Sequence, residues 1–169
     1  MGGVTLLEVA TPGRWPHADP TVAARFAAKV VVPTPPVGRG CWIWTGAVET
    51  DSGYGRFHAG GGRRSHIVAA HRWSYAAAFG VPLDELDTVR HDCDERFCVN
   101  PACLRTGTRA DNIADQIRRG RATGPGGFTR RPVPRVLAVR AAASAGDANL
   151  VRWLLEEPGI QLELHLDPT

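Results

Sequence analysis

The chain has 169 residues, enough for one domain with a small additional unit, and its 43% apolar and 22% charged residues are ordinary for a globular protein. It contains no run of 18 or more apolar residues, so we expect no membrane-spanning helix and no membrane partner. The N-terminus has neither a basic start nor a long apolar stretch, so we expect no secretory signal and a cytoplasmic location. In that reducing compartment, clustered cysteines more often bind metal than form disulfides.

The net charge of +3 is unevenly distributed. Residues 105–140 carry nine arginines and a net charge of +7, whereas residues 141–169 carry a net charge of −4. Lys29 is the only lysine. A GC-rich coding sequence would explain the preference for arginine over lysine, but it would not explain why the arginines cluster. Guanidinium groups pair well with phosphate, so the cluster points toward a nucleic acid.

The first part of the chain predicts sparse regular structure. Residues 1–20 are rich in Gly, Pro and Thr and predict a flexible N-terminus. Residues 21–30 predict a short helix with Thr21 as its cap, and residues 32–40 predict an extended linker. The aromatic and β-branched segment 41–45 then predicts a strand.

The middle of the chain alternates strand and helix signals. Residues 53–58 and 64–68 predict a hairpin around a glycine-rich turn. Residues 71–79 predict a helix that ends at Gly80. A short strand over residues 88–91 should lead into a cysteine-rich loop.

The sequence of the last part of the chain, from residue 108 onward, predicts helices. Residues 108–119 predict a helix with Thr108 as its cap and Asp111 at the capping-box position. A Gly/Pro/Arg linker over residues 122–134 should separate a domain over residues 21–121 from a helical unit over residues 135–169. That unit suggests either a helix-turn-helix, with its turn near Gly159, or a dimerisation arm.

Four cysteines predict a structural zinc site, because zinc takes four tetrahedral ligands. Cys41 lies far upstream, while Cys93, Cys98 and Cys103 follow one another at five-residue intervals. One loop can therefore wrap a single ion, and the upstream ligand would attach the first strand to that loop. Two disulfides, with three possible pairings, and four buried free thiols are the alternatives.

The segment 25–121 resembles the zinc-bearing branch of the HNH endonucleases, also called His-Me finger or ββα-metal nucleases. The residues that carry the resemblance are Arg25-Phe26, Lys29-Val30, Cys41-Trp-x-Trp-x-Gly46, Gly53-Tyr-Gly-Arg56, Ala70-His-Arg72, Tyr75, His91-x-Cys-Asp94, Cys98-Val-Asn-Pro101, Leu104, Gly107-Thr108 and Asp111-Asn112. The resemblance implies an α+β fold with a small ββα-metal core, a zinc site of four cysteines, flanking helices and a short helical C-terminal unit.

The same resemblance implies a catalytic site. His91 would be the general base that activates water, and Asn112, helped by Asp111, would hold a catalytic Mg²⁺ or Mn²⁺. The products would carry 5′-phosphate and 3′-hydroxyl ends. An imidazole suits this role because its pKa lies near neutral pH. Alternatively, His91 would bind the zinc ion or support one of its ligands, since it stands two residues before Cys93.

Arg90 departs from the family pattern, in which the residue before the base is often a metal ligand. A guanidinium cannot bind a metal ion. Asp92, Asp94 or Asp111 would then supply the missing oxygen, or Arg90 would clamp the phosphate beside a cation held by Asn112, or cleavage would be weak or lost.

The expected substrate is double-stranded DNA, cut by a phage, restriction or homing type of enzyme, and a homodimer would turn nicks into double-strand breaks. A solvated basic face is the alternative to DNA contact. The predicted DNA contacts are Arg63, Arg64, His71 and Arg72 before the site, and Arg105, Arg109, Arg118, Arg119 and Arg121 after it. Two contrasting hypotheses are a zinc-containing DNA-binding module without catalysis and a structural zinc protein without a nucleic-acid role.

Overall fold

The computed structural model describes residues 6–60, 66–121 and 133–156. The described residues form a mixed α+β protein with three small sheets and five α-helices, so the predicted α+β class is confirmed. The strands are β1 (Leu6–Val9), β2 (Val30–Thr34), β3 (Ile43–Trp44), β4 (Arg56–Ala59), β5 (His66–Ala69), β6 (Thr88–His91) and β7 (Leu104–Gly107). The helices are α1 (Pro20–Ala27), α2 (Ala70–Phe79), α3 (Arg109–Arg118), α4 (Val133–Ser144) and α5 (Ala148–Glu156).

All strand pairs are antiparallel. The first sheet has the order β1-β2-β3, and the hairpins β4-β5 and β6-β7 form the other two. The predicted hairpin is thus confirmed in β4-β5, and β6 lies at the strand that the sequence predicts. The helix α3 directly follows the β6-β7 hairpin.

Two predictions near the N-terminus are wrong. Residues 30–34 form the central strand of the first sheet, although the sequence predicts a linker from residue 32. Residues 6–9 pair with that strand, so the predicted flexible segment 1–20 contains a strand from Leu6 onward. Leu7 lies opposite Pro33, which shows that one proline did not prevent this pairing.

The N-cap of α1 is Asp19 rather than the predicted Thr21. The Asp19 carboxylate accepts hydrogen bonds from the backbone N–H groups of Thr21 at 2.9 Å and Val22 at 3.1 Å. Pro20 occupies the first helical position, where its missing N–H costs nothing. The predicted cap and capping box of α3 are confirmed, and Gly80 ends α2 with φ 70°.

An aromatic core joins α1, α2 and the first two sheets. Its large buried rings are Trp15, Phe26, Trp44, Phe57 and Trp73. Burial of one such side chain contributes roughly 2–3 kcal/mol, so this cluster is a main source of stability. Trp44 and Trp73 therefore belong to the core and are not exposed surfaces for stacking on bases.

The helices α4 and α5 pack on the cysteine-rich loop. Val136, Val139 and Leu154 lie in one buried cluster with Cys41 and Cys98. Apolar contacts from the C-terminal helices thus cover the loop directly.

Two arginines of α4 strengthen that contact. Arg140 donates to the Trp44 carbonyl oxygen at 3.0 Å and also binds the carbonyl of Gly46. Arg135 binds both carboxylate oxygens of Glu95 at 2.8 and 2.6 Å. The predicted turn near Gly159 lies outside the described residues. In the described part of the chain, no helix has the length and apolar character needed to cross a membrane.

Candidate metal centre and active site

Four cysteine sulfurs converge beneath α4 and α5. The Sγ atoms of Cys41, Cys93, Cys98 and Cys103 all lie within 4.8 Å of one another. Three of these residues are buried and Cys93 is partly exposed, and none forms a disulfide. A tetrahedral zinc ion with Zn–S bonds of about 2.3 Å needs sulfurs roughly 3.8 Å apart, so small side-chain movements suffice. The four cysteines could therefore hold a metal such as zinc.

Hydrogen bonds among the thiols, together with burial, shift their pKa values. Burial raises the pKa of Cys98 well above its ordinary value. A hydrogen bond between the thiols of Cys41 and Cys103 raises the pKa of Cys41 and lowers that of Cys103. Because metal ligation requires thiolates, binding of zinc here would release protons to solvent.

His91 ends β6 beside this centre. Its Nε2 lies 3.0 Å from the carbonyl oxygen of Cys98. A carbonyl oxygen only accepts, so the neutral ring carries its proton on Nε2 and donates it there, while Nδ1 is unprotonated and keeps its lone pair. The side chain is 8% exposed, and burial lowers its pKa. The backbone of one cysteine of the cluster thus fixes the tautomer of the predicted base.

His71 and Tyr54 complete a ring cluster around His91. The ring centroids of His71 and His91 are 4.7 Å apart, and Tyr54 stacks on His91 at 6.0 Å. His71 Nδ1 is buried and lacks a hydrogen-bond partner, and burial followed by the nearby His91 lowers the His71 pKa. The predicted DNA contact at His71 therefore points into the protein, beside the candidate base.

Arg90 lies on the other side of β6, against α3. Its Nη1 binds a carboxylate oxygen of Asp115, whose second oxygen binds Arg118. The guanidinium also lies over Gly107, where an added Cβ would be 2.8 Å from Arg90 Nε and 3.0 Å from Asp111 Oδ2. Arg90 is thus enclosed between the hairpin and the acidic face of α3.

Asp111, which the sequence predicts as a helper in holding a catalytic divalent cation, uses one of its carboxylate oxygens for the cap of α3. Asp111 Oδ2 accepts hydrogen bonds from the Thr108 backbone N–H at 2.7 Å and hydroxyl at 2.9 Å. Both oxygens of Asp115, on the same face of α3, bind arginines. In residues 6–60, 66–121 and 133–156, the four cysteines are the single group of three or more His, Cys, Asp or Glu side chains close enough to share an ion.

Several arginines predicted to bind DNA are paired with acids. Asp94, with φ 65°, binds Arg119 at 2.8 Å and also Arg121, while Asp92 binds Arg105. Two of the three aspartates considered as substitute metal ligands, Asp92 and Asp94, are therefore engaged in ion pairs. These pairs reduce the positive potential around the loop.

The remaining arginines divide into three cases. Arg72 donates to the carbonyls of Asp87 at 2.7 Å and Leu86 at 2.6 Å, which attaches α2 to the following turn. Arg109 is exposed and has no ion pair with another described residue. Arg63 and Arg64 lie outside the described residues.

Two proteins of Escherichia phage T7 are similar to this chain. Protein 7.7 is 35% identical over 103 residues, which cover 60% of this chain and 75% of that protein. The chain belongs to the protein 7.7 family. Protein 2.8 is 35% identical over 83 residues, or 49% of this chain, which spans about half (53%) of the length of protein 2.8. No family model and no solved structure matches the chain.

Sequence reasoning misses one residue of the site in this member of the protein 7.7 family. Asp115 is 7% exposed and binds Arg90, yet the sequence alone shows it only as an acid within the basic cluster. The available signal is its spacing, since residues 111 and 115 are one helical turn apart and face the same side. Tyr54 has no role assigned from the sequence, and its ring lies against both histidines.

Proposed function

We propose that this protein is a zinc-stabilised endonuclease of the HNH type that hydrolyses phosphodiester bonds of double-stranded DNA. The observation that carries the proposal is the state of His91 at the end of β6. Its Nε2 is engaged by the Cys98 carbonyl, so Nδ1 is the nitrogen available to take a proton. Burial lowers the His91 pKa, which keeps the ring neutral as a base must be.

In the proposed reaction, Nδ1 of His91 takes a proton from water as the water oxygen attacks the phosphorus in line. The phosphorus–O3′ bond breaks, and the leaving oxygen takes a proton from solvent to give a 3′-hydroxyl beside a 5′-phosphate. The ring cluster of Tyr54 and His71 would orient the base. The four-cysteine zinc site would act through structure alone, because four protein ligands leave no open position on the ion.

DNA would approach over the exposed arginines, with Arg109 at the start of α3 as the most available described contact. Relatives in phage T7 support a phage-type setting. Two chains acting as a homodimer would convert two nicks into a double-strand break.

A second candidate function is a zinc-containing DNA-binding module without catalysis. The pairing of Arg90 with Asp115 favours it, because that pair occupies the face of α3 where the HNH resemblance implies a metal ion. The small exposure of His91 also favours it.

Plasmid nicking tests the proposed function. Zinc-loaded wild type, His91→Ala and a matched control, His58→Ala at an exposed position of β4, would each be incubated with supercoiled plasmid, with and without added Mg²⁺ or Mn²⁺. We expect His91→Ala to lose about 100-fold or more in rate while His58→Ala keeps wild-type activity. Zinc content and circular dichroism of each variant show that the fold is intact.

Equal nicking by wild type and His91→Ala would remove His91 from the proposed role. A gel shift of DNA by wild type without any cutting would favour the binding module instead.

A further inference from the structure

Two buried polar atoms among the described residues lack a hydrogen-bond partner, and both flank His91. One is His71 Nδ1 and the other is Arg90 Nε. A buried group without a partner is rare and calls for an explanation. Arg90 is the more informative case, because its side chain is charged and 16% exposed.

The surroundings of Arg90 balance its charge. Asp115 and Asp111 project from successive turns of α3 toward β6, and Arg90 and Arg118 face them. Hydrogen bonds from Thr108, followed by the charge of Arg90, lower the pKa of Asp111. With two arginines against two carboxylates, the set is neutral, and a divalent cation added there would leave two excess positive charges.

The space at this position is also filled by Arg90. A Cβ on Gly107 would come within 3.2 Å of the guanidinium carbon, so the hairpin backbone lies directly against the charged group. A metal ion bound between β6 and the two carboxylates would have to displace that guanidinium.

We propose that the guanidinium of Arg90 is the resident cation of the β6–α3 site, so that the protein binds no divalent metal ion there. Where the proposed nuclease function holds, phosphodiester cleavage would then need no added divalent ion.

The test is Mn²⁺ binding to the full-length, zinc-loaded protein, measured by electron paramagnetic resonance of free Mn²⁺ and by NMR line broadening of α3 amides. Wild type should show no broadening at Asn112 or Asp115 with Mn²⁺ on the order of 1 mM. Arg90→Gln should gain about one Mn²⁺ per chain, with broadening at those amides and a Kd about tenfold or more below that of wild type.

Two controls show where the ion binds. Arg118→Ala removes the exposed arginine that pairs with the Asp115 carboxylate and leaves Arg90 in place. This variant should therefore gain no Mn²⁺ site. Adding Asp115→Asn to Arg90→Gln should abolish the gained site. Glutamine fills much of the arginine volume and can still donate to Asp115, so Arg90→Gln disturbs the fold less than Arg90→Ala.

Broadening of the Asn112 and Asp115 amides in wild type with Mn²⁺ on the order of 1 mM would overturn the inference, and this result needs no variant to fold. An equal gain in Arg118→Ala would also overturn it. Cleavage by wild type that strictly requires Mg²⁺ or Mn²⁺ would contradict the inference but leave the nuclease proposal standing, whereas absence of cleavage in every buffer would contradict only the nuclease proposal.

Discussion

At the scale of single residues, the functional side chains are fixed by neighbours from distant parts of the chain. His91 is held by the Cys98 carbonyl and by the rings of Tyr54 and His71. Its neighbour Arg90 points to the opposite side of β6, as successive strand residues do, and meets Asp115. One strand end therefore carries a neutral imidazole on one face and a fixed positive charge on the other.

Gly107 provides a direct test of how tightly Arg90 is held. We expect Gly107→Ala to lower the free energy of unfolding by about 1–3 kcal/mol, because the new Cβ would collide with the guanidinium. At Gly13, an added Cβ would meet no other side chain or backbone within 4 Å, so Gly13→Ala should change the free energy of unfolding by less than about 0.5 kcal/mol. Chemical denaturation measures both.

The same substitution in an Arg90→Ala background separates collision from other causes. If the guanidinium is the obstacle, most of the cost of Gly107→Ala should disappear in that background. An equal cost in both backgrounds would show that the glycine is needed for a different reason.

At the scale of elements, α3 depends on its N-terminal capping box. Thr108 Oγ1 accepts from the Asp111 N–H, and Asp111 Oδ2 accepts from the Thr108 N–H in return. These two bonds satisfy donors that the first helical turn cannot satisfy itself. They also fix the register of the helix face that meets Arg90.

We expect Thr108→Ala to destabilise the protein by about 1 kcal/mol. Thr21→Ala is the matched control, because Thr21 does not cap α1, and it should change the free energy of unfolding by less than about 0.5 kcal/mol.

Hydrogen bonds from Thr108 lower the pKa of Asp111, so this carboxylate stabilises the fold above its unfolded-state pKa of about 4.

That contribution is lost as the pH falls through the lower, folded-state pKa of Asp111. The difference in stability between wild type and Thr108→Ala should therefore narrow on acidification. A difference that stays constant down to the acid-unfolding transition would contradict the role of the Asp111 carboxylate.

The sequence predicts local elements better than their partners. Caps, glycine stops and strand composition identify α2, α3, β6 and the β4-β5 hairpin, because those signals act within a few residues. The prolines at positions 33, 35 and 36 lead to the prediction of a linker over β2, because the pairing of its valines with β1 and β3 is not local and no nearby residue reveals it. The ion pair of Arg90 with Asp115 likewise joins residues 25 positions apart, which no local pattern reveals.

At the scale of the whole molecule, the cysteine centre joins parts of the chain that are far apart in sequence. Cys41 precedes β3, the other three cysteines lie between β6 and β7, and the C-terminal helices cover them through Val139 and Leu154. The four cysteines were predictable as a cluster from residue type and spacing, whereas the packing of α4 and α5 on them was not. Loss of the metal should therefore loosen both the β6-β7 loop and the C-terminal helices.

The most direct test of this account is the zinc content of the protein purified under reducing conditions, measured by elemental analysis together with a thiol count. We predict about one tightly held zinc per chain, lost in Cys98→Ser along with thermal stability, while all four thiols of the chelated, unfolded wild type react as free cysteines. A folded wild-type protein without zinc, or one whose cysteines are oxidised to disulfides, would contradict the metal centre on which the account depends.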